Sequence, residues 1–343
     1  MEVKPRLFII TLEPIEQRYT KQWYNYFKPA FSKWFEVIYI DGRFMGDKIE
    51  NGKWLDINKT NIWKAHQVEQ LSYWFMKGLI KDGDSFLFTD AWHWGIIPLR
   101  YMAGLQNIKI KVYGFWHAGS YDRWDFLAQA KLDWTYFTEM NFFYMYDCNF
   151  VATHFHKSLI QQEFNLKDNL IKVVGFPMDW KEEIRKLKIK RVKKEDIIIF
   201  PHRLDKEKQP QVFEQLQKSK DLNKYTFIIT INKNLTKKQY YTFLSRAKIV
   251  FSSSLQETYG IGTVEGVMFD CIPIIPERLS YSEMYYDEFK YKSLDEAIIK
   301  IKKIIEHKDM YNRELTWQKE RLAKDSLEAI PKMARVILNG IRK

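Results

Sequence analysis

Cysteine is almost absent from this chain, glycine and proline are sparse, and no long hydrophobic run occurs. Cys148 and Cys271 are its only cysteines, too few and too far apart for a disulfide framework or a four-ligand zinc site, so a reducing compartment fits them. The apolar run before Glu13 covers only a few residues, too short for the core of a secretory leader. No stretch reaches the roughly 18 apolar residues of a membrane span. A soluble, cytoplasmic protein is the expectation. The turn after the first apolar run, residues 12–20, reads LEPIEQRYT without a glycine, which excludes the dinucleotide-binding fingerprint. No Asp-x-Asp closes a strand: Asp82-Gly83-Asp84 has the letters but stands ahead of its apolar run. His154 and His156 have no Cys or acidic partner at ligand spacing, so no metal and no cofactor are expected. Internal repeats and low-complexity tracts are missing too.

What is present suffices for two cores. The 343 residues are worth about two domains at roughly 150 residues each, and 46% apolar with 16% aromatic residues rule out disorder. Charge is lopsided: the net is +12, of which residues 1–180 hold +1 and residues 181–343 hold +11. Lysines outnumber arginines 41 to 14. Two readings stand, a solvated lysine-rich surface and a face for a polyanion such as nucleic acid or an anionic membrane.

Short apolar runs at residues 7–12, 36–40, 85–88, 108–115, 149–152 and 171–174 alternate with helical-period stretches such as 21–35 and 62–79. Repeated β-α units with a buried, mainly parallel sheet follow. The pattern breaks at Pro177. Residues 181–195 hold eight basic and three acidic residues and read as a basic linker. A second α/β series then starts, with strands at 196–200, 225–231, 248–252 and 272–275 and helices at 209–218, 237–247, 262–269 and 294–307. The expected division is 1–180, linker 181–195, 196–316, and a helix 317–343, kinked by Pro331. Two doubly wound domains facing across a cleft suit a large ligand.

The stretch from Phe251 onward carries the densest chemistry. A strand runs into three serines, a loop holds Glu257, Tyr259, Gly260 and Ile261, and a helix begins near Gly262, with Thr263 in its first turn, and carries Glu265. The glycines let backbone amides approach a ligand, and a helix N-terminus attracts negative charge. Glu265, about one turn into the helix, suits hydroxyl groups such as a ribose pair, or serves only as an acidic residue favoured by the helix dipole. Ahead of this stretch, Phe200 is followed by Pro201-His202-Arg203-Leu204-Asp205-Lys206-Glu207-Lys208.

The spacing E-x7-E from Glu257 to Glu265, with Arg203 and Lys208 about fifty residues earlier, resembles the retaining nucleotide-sugar glycosyltransferases of the GT-B fold, in particular family 4. Residues 200–294 are similar to the tRNA-queuosine mannosyltransferases, which share the Pro-His-Arg opening and a tail like Pro276-Glu277-Arg278-Leu279-Ser280-Tyr281. The resemblance implies an α/β protein of two Rossmann-like domains, the last helix crossing back to the first. It also implies that Arg203 and Lys208 hold the donor diphosphate and stabilise its departure, as fixed cations would. Glu265 would then bind the ribose, Glu257 the donor sugar, and Tyr259, Gly260, Ile261, Gly262 and Thr263 the phosphates or sugar. UDP-sugars are favoured over GDP-sugars as donor.

In the first domain, His117 follows the apolar run that ends at Phe115. It reads as a sugar and acceptor contact or as a core histidine. Asp90 stands before Trp92, His93 and Trp94. The tryptophans stack a base or sugar while Asp90 takes the proton of an attacking hydroxyl, or they pack in the core. The resulting expectation is a glycosyltransferase acting on a hydroxyl of a modified base in nucleic acid, hydroxymethylated pyrimidine of phage DNA ahead of queuosine tRNA. A surface polysaccharide or lipid acceptor is the alternative. A non-catalytic nucleic-acid-binding protein is the alternative of another class.

Overall fold

The computed structural model describes residues 4–46, 56–189, 192–233, 235–306 and 308–341. The chain divides into two compact units, Met1–Met178 with Glu328–Lys343, and Asp179–Leu327.

In the first unit, β1 (Arg6–Ile10), β2 (Glu36–Ile40), β3 (Ser85–Phe88), β4 (Lys111–Phe115), β5 (Cys148–Val151) and β6 (Ile171–Val173) form one sheet in the order β2-β1-β3-β4-β5-β6. All pairings are parallel, with Leu7 opposite both Val37 and Ser85. Strands covered on both faces need apolar residues at every position, and Leu7, Phe8, Ile9 and Ile10 are all buried. That requirement makes the strands readable as runs. Leu71, Phe75, Ile96, Leu99, Phe142 and Phe143, from three helices, pack on Phe8, Phe86 and Val112. The helix Thr135–Met145 is aromatic on both faces and so shows no helical period; Trp116 stacks on Phe143 at 3.9 Å between ring centroids.

The second unit repeats the plan. Its strands are β7 (Glu195–Phe200), β8 (Thr226–Ile229), β9 (Ala247–Phe251), β10 (Ile272–Pro276) and the two-residue β11 (Lys290–Tyr291), in the parallel order β11-β10-β9-β7-β8. Counted from each unit's first strand the orders agree, and both reverse direction at one place, between β1 and β3 and between β7 and β9. Such a reversal leaves a crevice beyond the carboxyl ends of the two strands, where doubly wound sheets bind ligands.

Of the basic segment 181–195, residues 190–191 lie outside the described residues. The helix Trp180–Lys186 occupies its first part, capped by the Asp179 carboxylate accepting from the Glu182 amide at 3.0 Å. Trp180 is buried and donates to Ser326 at 2.9 Å, which anchors the segment in the second unit. The last helix, Lys308–Ile341, runs on through Pro331. It passes from the second unit to the first at Leu327 and Glu328. Cys148 and Cys271 are free and buried. Among the described residues no cluster of three metal-ligating side chains occurs, and no helix is long and apolar enough to cross a membrane.

The helix His154–Phe164 buries His156 against the Tyr121 hydroxyl at 2.7 Å, and burial pushes the imidazole pKa down to about 3. An unfolded histidine titrates near about 6.5, so below that pH the unfolded chain takes a proton that the folded chain refuses. Stability therefore falls on acidification. Urea unfolding between pH 7 and 4.5 is expected to lose about 2 kcal/mol through this residue. His156→Gln should show a shallower slope, and equal slopes would contradict the assignment.

Candidate functional site

The loops leaving β7 and β9 meet at the second unit's strand reversal. The first passes through a turn at Lys206–Lys208, closed by Gln209 at φ +50°. The second begins with Ser252, Ser253 and Ser254. Ser253 donates through Oγ to the Lys208 and Gln209 carbonyls at 2.9 and 3.0 Å, and the Leu255 amide donates to the Glu207 carbonyl at 2.6 Å. Arg278, from the segment after β10, donates to the Ser254 carbonyl (2.9 Å), the Ser253 carbonyl (2.7 Å) and Gln209 Oε1 (2.9 Å). Three separate stretches of chain are thereby held in one geometry.

Lys208 and Glu257 sit at the middle of this clasp. Lys208 Nζ donates to the Gln256 carbonyl at 2.6 Å and to Glu257 Oε1 at 2.9 Å, and Ser254 Oγ donates to the same oxygen at 3.2 Å. Burial alone would raise the Glu257 pKa, but the Lys208 ammonium, His202 and these hydrogen bonds outweigh it and hold the carboxyl below its ordinary value. His202 Nδ1 lies 3.5 Å from that carboxylate, and burial lowers the His202 pKa to about 4. The ring is neutral at pH 7. Its Nε2 is buried without a hydrogen-bond partner. Arg203 pairs with carboxylates of its own turn, Asp205 at 2.6 Å and Glu207 at 3.1 Å.

Gly260 opens the helix Ile261–Met268 at φ +76°, and a Cβ there would lie 2.6 Å from the Tyr281 ring. Only glycine combines that backbone with that neighbour. Tyr281 is fixed by Ser252 Oγ at 3.0 Å and Thr263 Oγ1 at 3.1 Å. A Cβ on Gly262 would stand 3.2 Å from Pro201, so the helix's first turn lies close against the loop after β7. The first N–H groups of a helix lack intrahelical acceptors and carry its positive dipole end. Tyr259 is buried, with its hydroxyl 2.8 Å from Ser326 Oγ.

Glu265 occupies different surroundings from Glu257. It is 4% exposed, and its Oε1 receives Lys237 Nζ at 2.5 Å and the Tyr241 hydroxyl at 2.7 Å. The dipole alone does not explain this acidic residue, since a buried lysine neutralises it from the neighbouring helix Lys237–Arg246. Lys237, His202, Arg278 and Tyr281 join the site through partners distant in sequence. Their pairings cross tens of residues and leave no local pattern, although His202, Arg278 and Tyr281 lie in the phrases that carried the family resemblance.

In the first unit, Asp90 follows β3 and sits 3.3 Å from the buried Lys64 ammonium, which also donates to the Trp92 carbonyl at 2.5 Å. Trp92 and Trp94 are partly buried against the core, and Trp92 Nε1 donates to Glu139 at 2.8 Å. His93 is buried, its Nδ1 accepts from the Gly95 amide at 2.9 Å, and its Nε2 faces Gln67 Oε1 at 3.0 Å. One nitrogen is spent on the loop after β3 and the other on the helix Ile57–Met76. His117, half-buried after β4, has Nε2 2.8 Å from the Thr89 carbonyl and Nδ1 3.1 Å from the Tyr19 hydroxyl. A carbonyl only accepts, so Nε2 carries the proton and Nδ1 receives the tyrosine's. Burial lowers the His117 pKa.

Substitutions at Gly260 and Lys208 probe the clasp through stability, with Gly104 of the first unit as a control. Gly260→Ala should cost about 2 kcal/mol or more, from strained backbone and the Tyr281 contact. Gly104→Ala, at a helical glycine with no atom within 4 Å of its Cβ, should gain up to about 1 kcal/mol. Lys208→Ala, which strands the Glu257 carboxylate, should cost about 3 kcal/mol, much of it recovered in Lys208→Met with Glu257→Gln. Urea denaturation reads all of these, and a neutral Gly260→Ala would refute the packing described.

No protein-family model matches the sequence. Among solved structures, the chain is similar to a sucrose-phosphate synthase from Thermosynechococcus elongatus, with TM-score 0.66 and 12% identity over 99% of this chain and 98% of that one. It is similar to the catalytic domain of starch synthase IV from Arabidopsis thaliana bound to ADP and acarbose, with TM-score 0.62 and 10% identity over 100% of both chains. A mutant of S. aureus TarM in complex with fondaparinux, alpha-GlcNAc-glycerol and UDP matches with TM-score 0.58 and 16% identity over 80% of this chain. This chain spans 59% of TarM's length. These likenesses, with two parallel sheets of six and five strands, show that the chain has the GT-B fold.

Proposed function

We propose that this chain is a glycosyltransferase that moves a sugar, with retention of configuration, from a nucleoside diphosphate sugar to an acceptor hydroxyl. The observation that carries the reading is the clasp at the second unit's strand reversal. There Lys208, Glu257 and the first turn of the helix Ile261–Met268 adjoin the turn bearing Arg203. A diphosphate brings negative charge that grows as the sugar departs, and fixed cations with helix amides stabilise that growth without reorganising. Arg203 exchanges Asp205 and Glu207 for the phosphates, and Lys208 shares its donors between Glu257 and the ligand. Glu257 accepts from donor-sugar hydroxyls, and Glu265, with Lys237 beside it, answers to the ribose.

The transfer proceeds on one face of the sugar. The anomeric carbon loses its bond to the diphosphate oxygen and gains one to the acceptor oxygen, while the acceptor's proton passes to the departing phosphate. UDP is the favoured nucleotide, in keeping with the UDP bound to TarM. The acceptor favoured here is a hydroxymethylated pyrimidine in phage DNA, supported by the net +11 of residues 181–343. Queuosine tRNA is the variant of the same reading. A polyol or glycan acceptor is a second reading, favoured by the alpha-GlcNAc-glycerol in the TarM complex.

Incubating the protein with UDP-sugars and hydroxymethylated DNA, queuosine-bearing tRNA or polyol acceptors, and weighing the products, tests this. A sugar-sized mass gain on DNA is expected. It should fall by about 100-fold or more in Arg203→Ala and decline steeply with salt. Gain on the polyol alone would discard the nucleic-acid acceptor, and no transfer from any nucleotide sugar would discard the enzyme.

A further inference from the structure

One face of the first unit differs in character from the rest of the surface. Of the 21 large apolar side chains exposed among the described residues, 16 fall between positions 44 and 144. Most project from three helices, Ile57–Met76, Ile96–Leu105 and Thr135–Met145, of which the middle one packs against both others. Leu71, Leu99 and Phe142 are their inward residues and enter one core. Outward, the middle helix presents Ile97, Tyr101 and Leu105 on successive turns. The third presents Phe137 and Tyr144 after Trp134, and the first presents Tyr73 and Met76. Tyr101, Leu105 and Phe137 are 66%, 69% and 66% exposed.

Charge is sparse on this face, although the exposed Lys77 lies over the Tyr73 ring at 5.5 Å and the exposed Asp133 precedes Trp134. In a protein of 29% charged residues, Glu69 is the one exposed Asp, Glu, Lys or Arg on the three helices. Arg100 is partly buried and paired with Asp147 at 2.8 Å, and Glu139 is turned inward.

We propose that this face is where two copies of the chain pair. Its composition, rich in Tyr, Trp, Phe and Met and depleted of Lys and Glu, is that of an interface core rather than of a solvated surface. A symmetric dimer brings a patch against itself, so like charges on the patch would oppose it. Residues 1–180 hold only +1 of the net +12, and the patch holds almost none. An anionic membrane or nucleic acid would need cations that the face does not offer. Large aromatics cover about 150–250 Å² each, so these side chains at half to two-thirds exposure supply on the order of 800 Å² per partner, the size of a standard interface.

The test is the mass of the full-length protein by sedimentation equilibrium across about 1 to 100 µM. A dimer is expected. Phe137→Glu and, separately, Tyr101→Glu should each raise its dissociation constant about tenfold or more, with the circular dichroism spectrum of the folded chain unchanged. A wild-type chain monomeric throughout, or a dimer indifferent to both substitutions, would overturn the proposal. So would flotation of a monomeric chain on neutral phosphatidylcholine vesicles that Phe137→Glu abolishes, since that assigns the face to lipid.

Discussion

The second unit's candidate site depends on one ion pair. Lys208 and Glu257 come from loops that follow two adjacent strands, and their contact at 2.9 Å joins those loops where the strand order reverses. Neither group tolerates that burial alone, because an unpaired charge in such surroundings costs several kcal/mol and would neutralise or draw the loop into water. Paired, they fix the loops, and the serines and Arg278 then find main-chain partners. The same pair leaves a cation and a carboxylate side by side, the carboxylate on the loop that leads into the helix Ile261–Met268. Charge of both signs within reach of one small volume is what a charged diphosphate joined to a neutral, hydroxyl-rich sugar requires.

Much of this was legible in the sequence because it is local. Parallel strands buried on both faces leave unbroken apolar runs, so β2 and β3 coincide with the runs 36–40 and 85–88. Glycine at a positive φ ahead of a helix leaves a readable signature as well, and Gly260 adopts that backbone. Illegible were the features set by distant partners. Nothing near Glu265 announces Lys237, 28 residues earlier, and nothing in the basic run 181–195 announces that Trp180 docks on Ser326. The short β11 has two residues and no run to read. His93 stands between two tryptophans in a stretch suggestive of ligand stacking, yet Gln67 and Gly95 occupy it.

The first unit repeats the plan with different chemistry. At its own strand reversal the buried Lys64 faces Asp90 and the neutral His117 bridges Thr89 and Tyr19. A lysine held at 7% exposure beside a carboxylate is the same kind of device as the Lys208 pair, although the glycine that opens the next helix, Gly95, has φ −60° where Gly260 has +76°. The charge asymmetry has a structural counterpart as well: the near-neutral half bears the apolar face, and the basic half bears the clasp.

Titration calorimetry of UDP against the wild-type protein and Lys208→Met decides the central claim, that the clasp receives a nucleoside diphosphate. The account predicts saturable binding by the wild type and a loss of about tenfold or more in the variant. UDP bound equally by both, or by neither, would contradict it.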